Sequence, residues 1–178
     1  MRHHGAAVLG FAAWSGTGKT TLLRALIPAL RTHGLRLGVV KHAHHSFDVD
    51  QPGKDSYMLR HAGAERVLIG SRTRWALMVE HEADHDEPDL ARLLAHLPGD
   101  GLDLILVEGF KHEAFPKIEL HRPALGRPLL HPNDRSIIAL ASDAPVTAHG
   151  SLPLLDLNDV SAIAAFVRRV AAARDAPP

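Results

Sequence analysis

Residues 13–20, with the sequence AWSGTGKT, constrain the fold more than any other segment of this chain. An apolar segment of strand length, residues 6–12, precedes them, and residues 21–30 follow with apolar side chains spaced along one helix face. A strand, a glycine-rich turn, a Lys-Thr pair and a helix in this order are typical of a phosphate-binding P-loop. Backbone N–H groups of the turn and of the helix N-terminus then favour negative charge at one spot.

The P-loop motif predicts a role for each of its residues. Gly16 and Gly18 allow the backbone to approach phosphate oxygens in conformations that a Cβ disfavours. Lys19 is expected to reach the β- and γ-phosphates as a catalytic group, and the Thr20 hydroxyl to bind Mg²⁺. Ala13 replaces the usual first glycine and is compatible with the loop if its backbone stays in the β region. The residues expected to bind nucleotide are Ser15, Gly16, Thr17, Gly18, Lys19, Thr20 and Thr21.

Composition excludes several classes of function. The length suits one domain over residues 1–178, with an Ala- and Pro-rich tail from residue 171 that we expect to fray. A formal net charge of zero argues against a nucleic-acid partner. The absence of cysteine excludes disulfides and thiolate metal sites. No apolar run has membrane-spanning length and the first residues lack a signal-peptide layout, so we expect a cytoplasmic protein with no membrane partner.

Hydrophobic periodicity predicts an α/β fold: a P-loop NTPase-like three-layer sandwich with a mostly parallel sheet and an added antiparallel hairpin. Local signals predict a kink at Pro28, core contacts for Tyr57 and Met58, a helix start at Pro88 and a helix cap at Asn158. Besides the P-loop strand and helix, the predicted strands are 35–41, 67–70, 75–79, 102–107, 118–121, 137–141 and 152–155, and the predicted helices begin near residues 54, 88 and 159.

Residues 102–107 are almost continuously apolar, which is typical of a strand buried on both faces of a parallel sheet. The strand is followed by Glu108 and then Gly109. In P-loop proteins a strand beside the P-loop strand presents a carboxylate to Mg²⁺, so Glu108 is the candidate metal ligand and catalytic acid. Asp103 begins the same strand and is too far from its other end. The alternative role for Glu108 is that of a surface acid at a strand end.

The segment 41–55 is unusually long and polar for an α/β connection. Its position after a strand predicts that it lies at the ligand-binding edge of the sheet. His42 and His44 are candidates for binding an anionic substrate, for ligating a metal or for acid–base chemistry. Asp48 and Asp50 are candidates for positioning a catalytic water or the second shell of Mg²⁺, with turn or capping roles as the alternative.

Asp143 follows the predicted strand 137–141 and is the candidate for recognising a guanine base. A carboxylate there can accept the N1 and N2 hydrogens of guanine, which adenine cannot supply. The usual Asn-Lys-x-Asp motif is absent, since the residues are Leu-Ala-Ser-Asp, and a turn role before Pro145 is the alternative. Lys111, in the polar loop after Glu108, joins His42 and His44 as a candidate for substrate binding.

The sequence closely resembles the molybdopterin-guanine dinucleotide biosynthesis protein B (MobB) family over nearly its whole length. The segments responsible are FAAWSGTGKTTLL, KHAHH, DVDQPGKDSY, RWALM, DLILVEGFKHE and ALASD. The resemblance implies a cytoplasmic homodimer that binds GTP with Mg²⁺ and hydrolyses it slowly. It also implies an accessory role in molybdenum cofactor maturation, with a MobA-like guanylyltransferase and molybdopterin or Mo-molybdopterin as partners, assisting GMP attachment.

Three other functions remain open from the residues. A small-molecule kinase would use Arg122, Arg127 and Arg135 as lid arginines around a transferred phosphoryl group. A metal-delivery GTPase would use the histidines of segment 41–55, since nickel accepts imidazole ligands. In a non-enzymatic adaptor, the nucleotide would only switch partner binding.

Overall fold

The structure is a computed structural model that describes residues 1–43, 47–80, 89–99, 101–147 and 150–173 of the chain. The chain divides into two compact units, one formed by Met1–His42 with Asp89–Pro178 and the other by Ala43–Pro88. The strands are β1 Arg2–His3, β2 Ala6–Ala12, β3 Leu37–Lys41, β4 Arg66–Gly70, β5 Trp75–Val79, β6 Leu104–Glu108, β7 Lys117–His121, β8 Ile137–Ser142 and β9 Leu154–Asp156. The helices are α1 Lys19–Thr32, α2 Asp55–His61, α3 Leu90–Ala95 and α4 Val160–Ala172.

The first unit contains a sheet in the order β3–β6–β2–β7–β8–β9, and every pair of neighbours in that order is parallel. The P-loop strand β2 is central, between β6 and β7. The short strand β1, which the sequence did not predict, pairs antiparallel with the start of β2. Parallel strands end at one edge of a sheet, so the segments that follow β2, β3, β6, β7 and β8 meet there.

Helices cover both faces of this sheet. Along β6, Leu104 and Leu106 pack in one hydrophobic cluster while Ile105 and Val107 pack in the other, because successive side chains of a strand alternate between faces. The first cluster includes buried side chains of α1 and α4, and the second includes those of α3: Leu22, Leu23, Leu26, Leu30, Ile163 and Val167 in the first, Leu90 and Leu94 in the second. The predicted three-layer α/β sandwich with a mostly parallel sheet is confirmed.

Strand β7 differs from its neighbours because it buries charged side chains. Lys117 and Glu119 are both fully buried on one face of the strand, while Ile118 and Leu120 face the first hydrophobic cluster. The Glu119 carboxylate accepts hydrogen bonds from the backbone N–H groups of Leu130 and His131, at 2.6 and 2.9 Å. These contacts attach the proline-rich loop that follows β7 to the sheet.

The second unit contains α2 and an antiparallel hairpin. Strands β4 and β5 pair from Arg66↔Val79 to Gly70↔Trp75, which confirms the predicted hairpin. The prediction that Met58 lies in a core was wrong, because Met58 is 54% exposed and α2 has no buried residue. Tyr57 is half-buried. Among the described residues of its unit the helix has a two-stranded sheet to pack on, which is too little to bury a helix face.

Several local expectations need correction. The cap of α4 is Asp159, which accepts the Ala162 N–H at 2.8 Å, and not Asn158, one residue earlier. Asn158 instead donates its backbone N–H to Asp156. Helix α1 is continuous through Pro28, and the expected kink there stays a prediction.

The ends of two helices also bear on the predictions. Asp89 caps α3, which begins at Leu90, and Pro88 lies outside the described residues. Helix α4 continues to Ala172, into the tail that we expected to fray, and residues 174–178 lie outside the described part. Among the described helices, none combines the length and apolar character that a membrane span requires.

Candidate functional site

The P-loop connects the end of β2 to the start of α1. Gly16 and Gly18 have φ angles of 82° and 97°, a left-handed conformation in which a side chain would be strained. The Thr17 hydroxyl donates to the Trp14 carbonyl at 2.8 Å, and the Thr17 N–H points to the same oxygen, so this buried residue closes the turn. Ala13 is not among the described residues with positive φ, which fits a tolerated replacement of the first motif glycine.

Gly18 occupies the cap position of α1, so the loop leads directly into a helix N-terminus. The first backbone N–H groups of a helix have no acceptor within the helix and bear partial positive charge. Ser15, Gly16, Thr20 and Thr21 are exposed around this turn. The arrangement is suited to hold an anion such as a phosphate chain.

Thr20 and Glu108, the two predicted magnesium ligands, lie together. The Thr20 Oγ1 donates to Glu108 Oε1 at 3.4 Å, although the residues are far apart in sequence. The contact arises because β6 is the parallel neighbour of β2, with Phe11 paired to Glu108 at the ends of the strands. Hydroxyl and carboxylate oxygens are ligands that Mg²⁺ accepts, so this donor pair fits the ion that the P-loop motif implies.

Lys41 also contacts Glu108, a contact that the sequence did not reveal. Lys41 is paired with Glu108 in the β3–β6 register, and its Nζ lies 2.8 Å from Glu108 Oε2. The Glu108 side chain is only 14% exposed, whereas that of Lys41 is 58% exposed. The ammonium of Lys41 therefore compensates a largely buried carboxylate next to the P-loop.

The environment of Lys19 combines burial with neighbouring charges. Burial lowers the pKa of the Lys19 ammonium, Glu108 acts in the opposite direction, and Lys41 and Lys111 lower the pKa further. Positive charges thus gather around one carboxylate at the mouth of the P-loop. Phosphate oxygens placed there would favour the charged form of Lys19.

Trp14 connects the P-loop to the polar loops that follow β6 and β7. Its indole Nε1 donates to the Pro128 carbonyl at 2.8 Å. The Lys111 ammonium lies 5.0 Å from the centre of the Trp14 ring, and the Arg127 guanidinium lies 5.8 Å from it. Both distances are within the range of cation–π attraction. Lys111, predicted to bind substrate, is thereby placed beside the phosphate loop.

Arg122 and Asp143 form a second polar group at the same edge of the sheet. Arg122 Nη1 lies 2.6 Å from Asp143 Oδ2, and Arg122 Nε donates to the carbonyl of Thr17 in the P-loop at 2.8 Å. Asp143 Oδ1 is buried and has no hydrogen-bond partner within the described part of the chain. The structure therefore places the candidate base-recognising acid next to the phosphate loop, through an arginine.

His42 follows β3 directly and packs against the turn after β6. Its ring stacks on Phe110 with centroids 4.9 Å apart, and its backbone N–H donates to the Glu108 carbonyl at 2.8 Å. A Cβ on Gly109, which has a φ of 100°, would lie 2.6 Å from the His42 Cβ, so this close approach requires glycine. His44 lies outside the described residues.

Asp48 and Asp50 make contacts inside the second unit. Arg60 forms an ion pair with Asp48 at 2.6 Å, and these hydrogen bonds lower the pKa of Asp48. Asp50 Oδ1 accepts from the Gln51 N–H at 2.9 Å and from the Ser56 hydroxyl at 3.0 Å. The backbone N–H groups of Asp50 and Gln51 donate to Asp48 and Asp50, which are turn contacts of the kind considered as the alternative to a catalytic role. Helix α2 has no side-chain cap, and the catalytic role stays a prediction.

Sequence patterns missed three parts of the site: Lys41, Trp14 and the position of Arg122. Lys41 ends a strand in the same way as Glu108, which was a usable signal once the two strands were known to be neighbours. Trp14 and Arg122 had no such signal, since their contacts depend on how the loops after β6 and β7 fold back. In the described residues, no group of three or more His, Asp or Glu is placed to hold a metal ion.

Comparison with known proteins gives consistent results. The family model for MobB, molybdopterin guanine dinucleotide synthesis protein B, matches residues 8–143, a range that includes the P-loop, Glu108 and Asp143. The molybdopterin-guanine dinucleotide biosynthesis adapter protein of Escherichia coli K12 is 55% identical over 161 residues, which are 90% of this chain and 90% of that protein. The Haemophilus influenzae protein with the same description is 40% identical and covers 90% of this chain and 86% of that protein.

Comparison with solved structures finds the same family. A crystal structure of molybdopterin-guanine biosynthesis protein B superposes with a TM-score of 0.71 at 26% sequence identity. The superposition covers 92% of this chain and 98% of that chain. The structural similarity therefore covers nearly the whole chain.

Proposed function

The chain belongs to the molybdopterin guanine dinucleotide synthesis protein B (MobB) family, and on this basis we propose that it is a Mg²⁺-dependent GTP-binding adapter protein in molybdopterin guanine dinucleotide synthesis. The relatives from Escherichia coli and Haemophilus influenzae are described as adapter proteins of this biosynthesis. The resemblance found in the sequence is thus confirmed. GTP, Mg²⁺ and the individual partners are part of the proposal.

The observation that supports nucleotide binding most directly is the contact between Thr20 and Glu108 at the mouth of the P-loop. The N–H groups at the start of α1 would hold the phosphates, and Lys19 would neutralise their charge. Thr20 and Glu108 would hold the metal ion. When bound, Mg²⁺ supplies charge neutralisation for the phosphate oxygens. The polar atoms of Ser15, Gly16, Thr17, Gly18 and Thr21 would complete the cradle.

Guanine recognition is assigned to Asp143. Its Oδ1 is buried and has no hydrogen-bond partner in the described structure, which is costly unless a ligand supplies a donor. The N1 and N2 hydrogens of guanine are two such donors on one edge of the base. Adenine presents an acceptor at N1 and would leave the carboxylate unpaired.

Hydrolysis is proposed to be slow. The segments that follow β2, β6, β7 and β8 contain no glutamine to orient a water molecule, and Gln51, the single glutamine of the chain, donates its backbone N–H to Asp50. Unassisted Ras-like enzymes turn over at about 10⁻⁴ s⁻¹. Asp48 and Asp50 remain candidates for positioning water. Their ion pair and turn contacts would have to be exchanged for that role.

The proposed partners are a MobA-like guanylyltransferase, molybdopterin or Mo-molybdopterin, and a second copy of this chain. His42, His44 and Lys111 are the candidate contacts to an anionic pterin substrate, since two of them, His42 and Lys111, lie in or beside the turn that follows Glu108.

The exposed apolar hairpin of the second unit is the candidate dimer surface, because Leu68 is 67% exposed and Trp75 is 61% exposed.

The deciding experiment is equilibrium competition of GTP against ATP on the purified protein with Mg²⁺. We expect a preference for GTP of at least tenfold, about 1.4 kcal/mol, because only guanine satisfies Asp143. Asp143→Ala should abolish the preference, and Glu108→Gln should lower the gain in affinity that Mg²⁺ provides. Equal binding of GTP and ATP would contradict the proposal. Formation of a phosphorylated small-molecule product, or stoichiometric Ni²⁺ binding lost in His42→Ala, would favour the kinase or the metal-delivery function instead.

A further inference from the structure

We propose that Arg122 is a specificity-positioning residue, which fixes the Asp143 carboxylate against the phosphate loop and thereby sets the selectivity for guanine. This inference rests on the proposed GTP binding and goes beyond it by naming the residue that makes base recognition possible. Arg122 itself touches neither base nor phosphate in this role.

The Arg122 guanidinium contacts the P-loop and Asp143 at the same time. Arg122 Nε donates to the Thr17 carbonyl at 2.8 Å, and Nη1 donates to Asp143 Oδ2 at 2.6 Å. A guanidinium is planar and rigid, so an acceptor at Nε and an acceptor at Nη1 are fixed relative to each other. The carboxylate therefore has a defined position relative to the P-loop turn.

The sheet topology places Arg122 and Asp143 side by side. Arg122 is the first residue after β7, and Asp143 is the first residue after β8. The two strands are parallel neighbours, with His121 paired to Ser142 at their ends. Strand β7 is the immediate neighbour of the P-loop strand β2, and β8 is the next strand outward. Arg122 therefore links Asp143, at the end of β8, to the P-loop, at the end of β2. A Cβ on Gly18 would lie 3.5 Å from Arg122 Nη2, which shows how closely the side chain follows the loop.

The two oxygens of the Asp143 carboxylate have different surroundings. Arg122 occupies Oδ2, while Oδ1 is buried without a hydrogen-bond partner in the described part of the chain. The Asp143 side chain is 23% exposed, but this exposure is not at Oδ1, so a base reaches that oxygen only when neighbouring atoms move aside. The arginine orients the carboxylate through Oδ2, and no described residue donates to Oδ1, so a base can supply the missing hydrogen-bond donors.

A purely structural salt bridge predicts a different result from a positioning residue. Loss of a structural bridge would weaken the binding of every nucleotide alike or only lower stability. Loss of a positioning residue changes the ratio of affinities between bases, because the P-loop still binds the phosphates while the carboxylate loses its orientation. The ratio is therefore the quantity to measure.

The test uses the full chain with Mg²⁺ and measures dissociation constants for GTP, ITP and ATP by isothermal titration calorimetry. ITP lacks the N2 amino group of guanine and isolates that contact. In Arg122→Gln we expect the GTP-to-ATP affinity ratio to fall at least tenfold, while ATP affinity changes less than threefold. The matched control is Arg168→Gln, an exposed arginine of α4, which should keep the wild-type ratios.

Two variants make the result decisive. Arg122→Lys retains the charge but not the fork, so it should fold, bind ATP and still lose selectivity, which keeps the test valid if Arg122→Gln is unstable. In Arg122→Gln/Asp143→Asn, the selectivity should fall no further than in either single variant. An unchanged ratio in the Arg122 variants, or an equal loss for GTP, ITP and ATP, would overturn the inference. A wild-type protein without guanine preference would instead refute the proposed function.

Discussion

At the scale of single residues, the central feature is a carboxylate shared between a lysine and a hydroxyl. Glu108 receives a hydrogen bond from Thr20 at one oxygen and the ammonium of Lys41 at the other. A metal ion held by Thr20 and Glu108 would compete with Lys41 for the same carboxylate. The charge of Lys41 therefore opposes the proposed Mg²⁺ at this site.

We predict that Lys41→Met lowers the Mg²⁺ concentration needed for half-maximal enhancement of GTP binding. The exposed Lys41 side chain limits the strength of its ion pair to about 0.5–1 kcal/mol. The expected change is therefore about two- to fivefold. Titration of Mg²⁺ at fixed nucleotide measures it, with the exposed Lys54→Met as the control. A higher Mg²⁺ requirement in Lys41→Met would show that the lysine supports the site rather than competing for it.

At the scale of secondary-structure elements, β7 is the strand that ties a loop to the site. The sequence predicts a strand over residues 118–121, and nothing in that pattern indicates where its charged side chains lie. In the structure Lys117 and Glu119 are fully buried, because the loop after β7 folds over that face. The same loop begins with Arg122. The buried charges therefore hold in place a segment that contacts the P-loop.

The ion pair between Lys117 and Asp134, at 2.9 Å, gives a prediction at this scale. Asp134→Asn should lower the free energy of unfolding at pH 7 by about 3 kcal/mol, because it leaves a buried ammonium without its counter-ion. Urea denaturation followed by circular dichroism measures the loss. The control, Asp55→Asn in the first turn of α2, should cost less than about 1 kcal/mol. A similar small loss in both variants would contradict the prediction.

The pH dependence of this loss has a defined sign. Burial favours the neutral form of Asp134, but hydrogen bonds from Ser136 and Lys117 outweigh it and hold its pKa below the ordinary value of 3.8. A lowered pKa in the folded state stabilises the fold above pH 3.8, and this contribution disappears as the pH falls through the folded value. The difference between wild type and Asp134→Asn should therefore be full at pH 7 and should shrink below pH 3.8.

At the scale of the whole molecule, the second unit exposes a large part of its apolar surface. Leu68 and Leu77 are paired in the β4–β5 register and are 67% and 45% exposed, and Trp75 is 61% exposed. A two-stranded sheet is only marginally stable by itself in water. A second copy of the chain would bury these side chains, which supports the proposed homodimer.

We predict that Trp75→Arg weakens the dimer at least tenfold, since burying a large apolar side chain contributes about 1.5–3 kcal/mol. Sedimentation equilibrium over a range of protein concentrations measures the dissociation constant. The control is Leu154→Arg, which changes a side chain that is 43% exposed on the edge strand of the main sheet. Equal dissociation constants for the two variants would place the dimer interface elsewhere. A monomeric wild-type protein would refute the homodimer.

The sequence by itself determined the features that depend on short stretches of chain. The P-loop, its flanking strand and helix, the buried strand ending in Glu108, and the hairpin follow from periodicity and from the backbone demands of Gly16 and Gly18. These patterns are local, because a helix or a strand alternates its faces over a few residues. The family resemblance rests on the same stretches.

Only the tertiary structure decided which of these stretches are neighbours. The order β3–β6–β2–β7–β8–β9 brings Lys41 to Glu108, and the fold of the loop after β7 brings Arg122 to both Thr17 and Asp143. Strand order and register depend on long-range packing, and each strand pattern by itself is compatible with several neighbours. The burial of Lys117 and Glu119 in β7 has the same origin, because residues 130–134 of the following loop contact them and no pattern within the strand predicts that contact.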